Sequence, residues 1–297
     1  MRQKLLKRSY TIKEKQRISE VAGMSYDESV TRRSFLKSLA LAAGATACLG
    51  MSARPTFAEE DYEVIGWSQW GLPLVVHHLG NGPIKLFLLG GQHGGPEANT
   101  TDLVHLIRDH LLANPGEVPA NVTVYMMPEG NPDGLAAGTR QYISGVDPNR
   151  NWATPDWQPD AYDSWGRFRY GLGGTAPFSE PETTALGNWL WRVWPNYIIN
   201  YHSAGGFMFG GGGSGLSGEL NALYAQASGY WRPTGGGGGG GSPLGYRATG
   251  NMNGWTRSVG MSGCLIELTS AWDPEFGRNF EGVRAVLARL GAESPPQ

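Results

Sequence analysis

Cysteine is nearly absent from this chain: Cys48 and Cys264 are the only two in 297 residues. Cys48 falls in a segment with the features of a removable leader, so the remainder can form no internal disulfide. Cys264 lies in an apolar run, where a lone thiol reads as a small buried hydrophobe. Lysine is scarce as well, with Lys85 alone against twelve arginines from residue 59 onward. Basic charge is concentrated at the front, because residues 1–58 hold 11 of the 24 Lys and Arg but 4 of the 26 Asp and Glu. Residues 59–297 carry 13 basic and 22 acidic side chains, a net charge of -9. A body so charged repels nucleic acid and anionic membranes, which excludes both as partners. A long apolar run is missing too, so no stable membrane span is expected. There is no internal repeat.

The front segment has the order of an export signal. Thr31-Arg32-Arg33-Ser34-Phe35-Leu36-Lys37 is a twin-arginine pattern, an apolar stretch follows at 38–50, and Thr56-Phe57-Ala58 offers a cleavage site. Residues 1–58 are therefore assigned as a twin-arginine export signal, with Met24 as an alternative start, and the mature protein is placed in the periplasm or outside the cell. Ala45-Thr46-Ala47-Cys48 lacks the aliphatic first residue of a lipoprotein box. Only a few residues separate Ala58 from the first expected strand, so no propeptide control is expected.

Glycine is abundant, at 45 residues, which signals many loops and close backbone approaches. Apolar runs at 63–69, 74–79, 84–89, 122–127, 197–201 and 263–268 predict strands. Helical spacing predicts helices over 98–113, with Asn99 or Thr100 as cap, from the Ser179-Glu180-Pro181-Glu182 cap to about 193, over 217–228 and over 281–290. Strands alternating with helices define an α/β fold. The expectation is a single domain over 59–297, with a mixed, largely parallel twisted sheet and helices on both faces. Residues 128–134 read as a turn-rich loop. Residues 153–178 form a long aromatic loop, which in a compact domain is usually functional. The seven glycines at 235–241 predict a mobile loop.

The most informative stretch is Leu89-Gly90-Gly91-Gln92-His93-Gly94-Gly95-Pro96-Glu97. It places a histidine and a carboxylate in a glycine-rich turn at a strand end, where open α/β sheets bind ligands. Two further strands end near chemistry-bearing residues, His202 and Glu267. A hydrolytic zinc site needs three protein ligands, an open position and a base. Two histidines and two glutamates suffice for that division. Arg140 and the packed run Asp147-Pro148-Asn149-Arg150-Asn151-Trp152 add guanidinium groups suited to a carboxylate or an oxyanion. His77, His78, His105 and His110 read as strand, surface or rim residues without a role.

These residues stand in ordered motifs. They are His-Gly-Gly-Pro-Glu at 93–97, Asn-Pro-Asp-Gly at 131–134, Val-Asp-Pro-Asn-Arg-Asn-Trp at 146–152, Ser-Glu-Pro-Glu at 179–182, Tyr-His-Ser at 201–203, Tyr-Arg-Ala-Thr-Gly at 246–250 and Ile-Glu-Leu at 266–268. In that order the chain resembles the zinc carboxypeptidase family, of the carboxypeptidase A type, over nearly all of 62–290. The resemblance implies one Zn2+ per chain held by His93, Glu97 and His202. It implies that Glu267 activates the water and passes its proton to the leaving amine, and that Arg140 stabilises the oxyanion. Asn149, Arg150 and Tyr246 would grip the substrate's terminal carboxylate, and Asp147 would accept the second ring N–H of His93. Asn131-Pro132-Asp133-Gly134 would shape the loop that positions Arg140. Asn253 takes the place that sets side-chain preference, and its amide suits neither apolar nor basic side chains well. The glycine run would let Tyr246 swing over bound substrate.

One departure stands out. The family places its glutamate three residues after the first histidine; here that position is Pro96 and the glutamate is one further on. Glu97 is expected to return to the metal, and Asp102, on the helix, is the lesser alternative. The leading expectation is an exported zinc carboxypeptidase, monomeric, acting on peptides with a free C-terminal carboxylate. Two alternatives stay open: an amidase or carboxypeptidase for cell-wall (murein) peptides using the same zinc site, and a non-catalytic peptide-binding domain, for which the lengthened spacing is the motive.

Overall fold

The computed structural model describes residues 61–210, 215–232 and 245–293. The twin-arginine segment, Met24, Cys48 and the glycine run at 235–241 lie outside the described residues. In chain order the elements are β1 (Asp61–Trp67), β2 (Pro73–Leu79), β3 (Ile84–Leu89), α1 (Asn99–Ala113), β4 (Val122–Met127) and α2 (Pro132–Ala137). There follow β5 (Ala161–Tyr162), β6 (Phe168–Arg169), α3 (Pro181–Val193), β7 (Tyr197–Ser203) and β8 (Phe207–Phe209). The chain continues through α4 (Leu216–Ser228), α5 (Met252–Ser258), β9 (Gly263–Leu268) and α6 (Phe276–Gly291).

Seven strands form one sheet in the order β1-β2-β4-β3-β7-β9-β8. The central strands β4, β3, β7 and β9 run parallel to one another. The flanking pairs β1–β2, β2–β4 and β8–β9 are antiparallel. The expected mixed, largely parallel sheet is thus the fold. Its central strands are predominantly apolar because both faces are covered. Leu86 and Leu88 of β3 face a cluster with Leu103, Ile107 and Leu111 of α1 and Val283 and Leu287 of α6. Phe87 and Leu89 face the other way, onto Leu186, Trp189 and Leu190 of α3 and Met252 and Trp255 of α5. This alternation is the two-residue period of a strand. The one lysine of the body, Lys85, donates from Nζ to the Val193 carbonyl at the C-terminal end of α3 (2.6 Å), where a cation complements the helix dipole. No helix among the described residues is long and apolar enough to cross a membrane.

Several element boundaries differ from the sequence reading. The first strand stops at Trp67, because the next backbone is drawn away from the sheet: Gln69 N–H donates to Glu182 Oε1 (2.9 Å) and Trp70 N–H to Asp133 Oδ2 (2.9 Å). Neither Asn99 nor Thr100 caps α1. A 3-10 turn at Gly95–Glu97 runs straight into the helix. Backbone carbonyls of that turn take the first N–H groups, as in Ala98 N–H to Gly95 O (3.1 Å). Asn99 is thereby free to hold the Ser270 and Asp273 carbonyls (2.7 and 2.9 Å). Residues 132–137 are helical rather than a loop, with Asn131 Oδ1 accepting from Gly134 N–H (2.9 Å) and Pro132 at the first position. The last helix begins at Phe276, five residues earlier than its spacing suggests. The three-residue β8 and the seven-residue α5, capped by Asn251 onto Gly254 N–H (2.7 Å), are too short for periodicity to reveal. The long aromatic segment contains the β5–β6 hairpin.

Candidate active site

The parallel strands β3, β7 and β9 deliver their C-terminal ends to one place. After β3 the chain is laced to the exit loop of β4, with Gly130 N–H donating to Gly90 O (3.1 Å) and Asn131 N–H to Gly91 O (2.7 Å). Gly94 and Gly95 then press against α2. A Cβ on Gly94 would lie 2.2 Å from the Gly134 carbonyl carbon, and one on Gly95 would lie 2.4 Å from the Gly138 oxygen. Gly95 also has φ +48°, in the left-handed region that other residues enter at a cost. This close turn absorbs the extra residue of the His93-to-Glu97 spacing. Glu97 Oε2 comes to 3.0 Å from His93 Nδ1 and 3.0 Å from His202 Nδ1, and the two Nδ1 atoms are 3.1 Å apart. Among the described residues His93, Glu97 and His202 are the group that could hold a metal ion. Asp102 is exposed on α1 and is not part of it.

The outer nitrogens of both rings are engaged. His93 Nε2 lies 2.9 Å from Asp147 Oδ1. Asp147 is fully buried, yet Arg140, His93 and Arg150 outweigh the penalty of burial and hold its carboxyl well below the usual range. An ionised Asp147 only accepts, so the His93 proton sits on Nε2. His202 Nε2 lies 3.0 Å from Gln92 Oε1. Both Nδ1 lone pairs therefore point toward the Glu97 carboxylate in a buried space. Three mutually facing donor atoms repel unless a positive charge stands among them. Without a metal a proton partly meets the need: burial and Arg140 work to lower the His93 pKa, but Glu97 and Asp147 leave it raised. The donor set, two imidazoles and one carboxylate, fits a catalytic zinc ion with a position left open.

Arg140 reaches the same carboxylates. Its Nη1 contacts Glu97 Oε1, and its Nε donates to Asp147 Oδ2 (3.2 Å). Burial opposes its charge, but Glu97 and Asp147 more than compensate and the guanidinium stays cationic. Its backbone is pinned by Asn131, whose Nδ2 donates to the carbonyls of Arg140 (3.4 Å) and Gln141 (3.1 Å). Asn131 thus does the shaping expected of the 131–134 motif. Glu267 stands on β9 in register with His202 of β7. Burial and then the Glu97 charge push its carboxyl up to about 8.

Arg150 is buried. Its Nε donates to Tyr162 O (3.1 Å) and its Nη1 to Asn149 O (2.8 Å). Its Nη2 makes no well-formed hydrogen bond among the described residues, and the guanidinium carbon lies 5.7 Å from the centre of the Tyr246 ring. Asn149 accepts at Oδ1 from Met252 N–H (2.8 Å), which ties the arginine loop to the start of α5. Asn253, on α5, brings its Oδ1 to 3.5 Å from Asn200 Nδ2. His93, Glu97, His202, Asp147, Arg140, Glu267, Asn149, Arg150, Tyr246 and Asn253 thus belong to one connected set of contacts and strand registers, and Asp102 does not. The sequence reading missed Gln92 and Asn200. Asn200 carried a signal, since it is a polar residue inside an otherwise apolar strand. Gln92 carried none beyond its place before His93. His110 pairs with Glu117 (3.0 Å) and packs on Phe280, away from this set.

A sequence profile of the zinc carboxypeptidase family matches residues 60–214. That is just over half of the chain, and the chain belongs to this family of hydrolases. Murein peptide amidase A from Escherichia coli strain K12 is 36% identical over 78 residues, which cover 24% of this chain and 32% of that protein. The match thus spans about a third of the relative's length. Among solved structures, murein-tripeptide amidase MpaA from Escherichia coli O157 has a TM-score of 0.58 at 22% identity, over 84% of this chain and 99% of that one. Carboxypeptidase A from Helicoverpa armigera has a TM-score of 0.60 at 19% identity, over 93% of this chain and 85% of that one. At these identities the two structures are alike in fold.

Proposed function

We propose that this chain is an exported, zinc-dependent carboxypeptidase that hydrolyses the C-terminal amide bond of peptides, with one zinc ion per chain. The observation that carries the reading is the buried Arg150 guanidinium, whose Nη2 makes no well-formed hydrogen bond among the described residues and faces the neighbouring Tyr246 side chain. A buried donor without a well-formed bond is costly, and a substrate carboxylate would satisfy it. His93, Glu97 and His202 would hold the zinc, which when bound would supply a Lewis acid and lower the pKa of water. Glu267 takes the proton of the attacking water and returns it to the leaving amine. A carboxyl raised by burial is suited to that double duty. Arg140, already fixed by Glu97 and Asp147, adds positive charge where the oxyanion develops. Asn149 and Tyr246 flank the carboxylate held by Arg150. The twin-arginine segment supports export before action.

The test is direct. The metal-loaded protein is incubated with a diverse set of peptides, and single C-terminal residues should appear. Release of none from any peptide sinks the reading.

A second reading keeps the site and changes the substrate to cell-wall peptides. It is favoured by the β5–β6 hairpin, where Trp165 and Tyr170 are 80% and 85% exposed and Gly166 lies against Tyr246. That rim suits a substrate larger than a dipeptide. The likeness to the two murein amidases points the same way. Incubation with muropeptides separates the readings, and intact stem peptides would end this one. The motive for a non-catalytic binder is the lengthened His93-to-Glu97 spacing, and Glu97 Oε2 at 3.0 Å from Nδ1 of both histidines supports the catalytic reading over it.

A further inference from the structure

We propose that Gln92 is the positioning residue for His202: its side-chain carbonyl holds the imidazole with the proton on Nε2 and the Nδ1 lone pair turned toward His93 and Glu97. The inference rests on reading His202 as a zinc ligand and goes beyond it, because it assigns the partner that makes the ring fit to bind.

Gln92 is buried, at 2% exposure, and both ends of its amide are engaged. Its Oε1 lies 3.0 Å from His202 Nε2 and accepts from Asn200 Nδ2 at 2.8 Å. Its Nε2 donates to Pro148 O at 3.2 Å. An amide's oxygen and nitrogen are assigned from their network, and here one orientation satisfies it. Turned over, the amide would set its oxygen against the Pro148 carbonyl, which can only accept. With the oxygen facing His202, the Nε2 of that ring must be the donor. Asn200 precedes His202 by two residues on β7, so both side chains share one face of the sheet. The Asn200 bond to Oε1 therefore braces the amide from the same side as the histidine.

The two histidines are thus held by different chemistry. His93 leans on a carboxylate, Asp147 (2.9 Å), while His202 leans on a neutral amide. Asp147 and Glu97 already bring two buried negative charges to the cluster, and a neutral acceptor orients the second ring without adding a third. Outer partners of this kind fix tautomer and ring orientation of a ligating histidine, and their loss typically weakens metal binding about 10–100-fold.

The experiment uses the full chain, stripped of metal. Long-range proton–nitrogen spectra, with the six histidines assigned by single substitutions, report which nitrogen of His202 carries the proton. Zinc affinity is measured by competition with a coloured chelator for the parent and for Gln92→Met, which fills the volume without the amide acceptor. The parent should show His202 protonated on Nε2. Gln92→Met should show both tautomers and a zinc Kd raised about 10–100-fold. A parent His202 protonated on Nδ1 overturns the proposal, as does a folded Gln92→Met that binds zinc as tightly as the parent. If Gln92→Met does not fold, the parent tautomer still decides. A parent that binds no zinc, yet has His202 protonated on Nε2, would count against the zinc chemistry and leave the role of Gln92 standing.

Discussion

Glu267 and His202 are partners across the parallel β7–β9 pair, one on each strand at the same register position. Residues so paired project to the same side of a sheet. One β-ladder therefore fixes the distance between a candidate base and a candidate ligand, and neither depends on a flexible loop for its place. That rigidity is what a site needs if its geometry is to survive substrate turnover.

Replacing Glu267 by Gln should lower kcat by at least about 100-fold while zinc content stays unchanged. Turnover and elemental analysis of the same preparation check it. The substitution also has a pH signature in the metal-free protein. With a folded pKa of about 8, well above the ordinary carboxyl value, the folded state holds a proton that the unfolded chain has already lost. Between about pH 4.5 and 8 the parent should then lose stability as pH rises, through this group. The stability of Glu267→Gln relative to the parent should rise across that window and level off above it. Chemical denaturation at several pH values reads the difference.

Removal of metal should destabilise the domain. Zinc bound by the folded state alone adds about 4 kcal/mol at a free concentration a thousandfold above Kd. Thermal melting with chelator, and again after zinc is restored, should show a reversible fall and recovery of Tm. An unchanged Tm would argue against a site assembled by folding.

Gly95→Ala should damage the site from outside it. The new Cβ would meet the Gly138 oxygen at 2.4 Å, on a backbone with φ +48°. Strain of this kind costs about 1–3 kcal/mol, and the turn that returns Glu97 is the part free to move. Zinc affinity should fall more than Tm does. Gly116→Ala, at a position open to solvent where a Cβ meets nothing within 4 Å, is the control.

Arg150→Ala should reduce kcat/KM on peptides with a free carboxylate by about 100-fold, the loss of a charge-assisted pair of ~3 kcal/mol. The same peptides ending in a carboxamide should be poor substrates for the parent and little worse for the variant. Steady-state kinetics on the matched pair of substrates checks this. An equal loss on both would mean that Arg150 supports the loop rather than the carboxylate.

Much of the central fold was legible because its strands are long apolar runs between turns. The stretches at 84–89, 122–127 and 263–268 coincide with β3, β4 and β9. What escaped was decided by contacts that periodicity does not show, some distant in sequence and some in the adjoining turn. The end of β1 depends on Asp133 and Glu182, and the start of α1 on a turn that borrows its carbonyls from Gly94 and Gly95. His93, Glu97, His202 and Asp147 were legible because each lies in a motif of distinctive order. Gln92 was not, since its value lies in a bond to a histidine 110 residues away. The return of Glu97 was expected from its motif, but how the chain absorbs the longer spacing could not be read from the sequence. It turns on whether Gly94 and Gly95 find a surface to close against, and α2 provides it.

Lys85 has a practical consequence for handling this protein. From residue 59 onward its side chain is the one ε-amine. It stands near the start of β3, about 13 Å of strand from Leu89 at ~3.3 Å per residue, while the candidate site opens beyond the other end. In a protein begun at residue 59, amine-directed labels or surface couplings would attach there or at the new N-terminus, whereas the full chain also offers Lys4, Lys7, Lys13, Lys15 and Lys37. A fluorophore or a solid support could thus be carried on the far end of the sheet, leaving the mouth of the site clear for kinetic work. The same chemistry would tug on the Val193 carbonyl that Lys85 holds, so labelling should first be checked for its effect on the seating of α3.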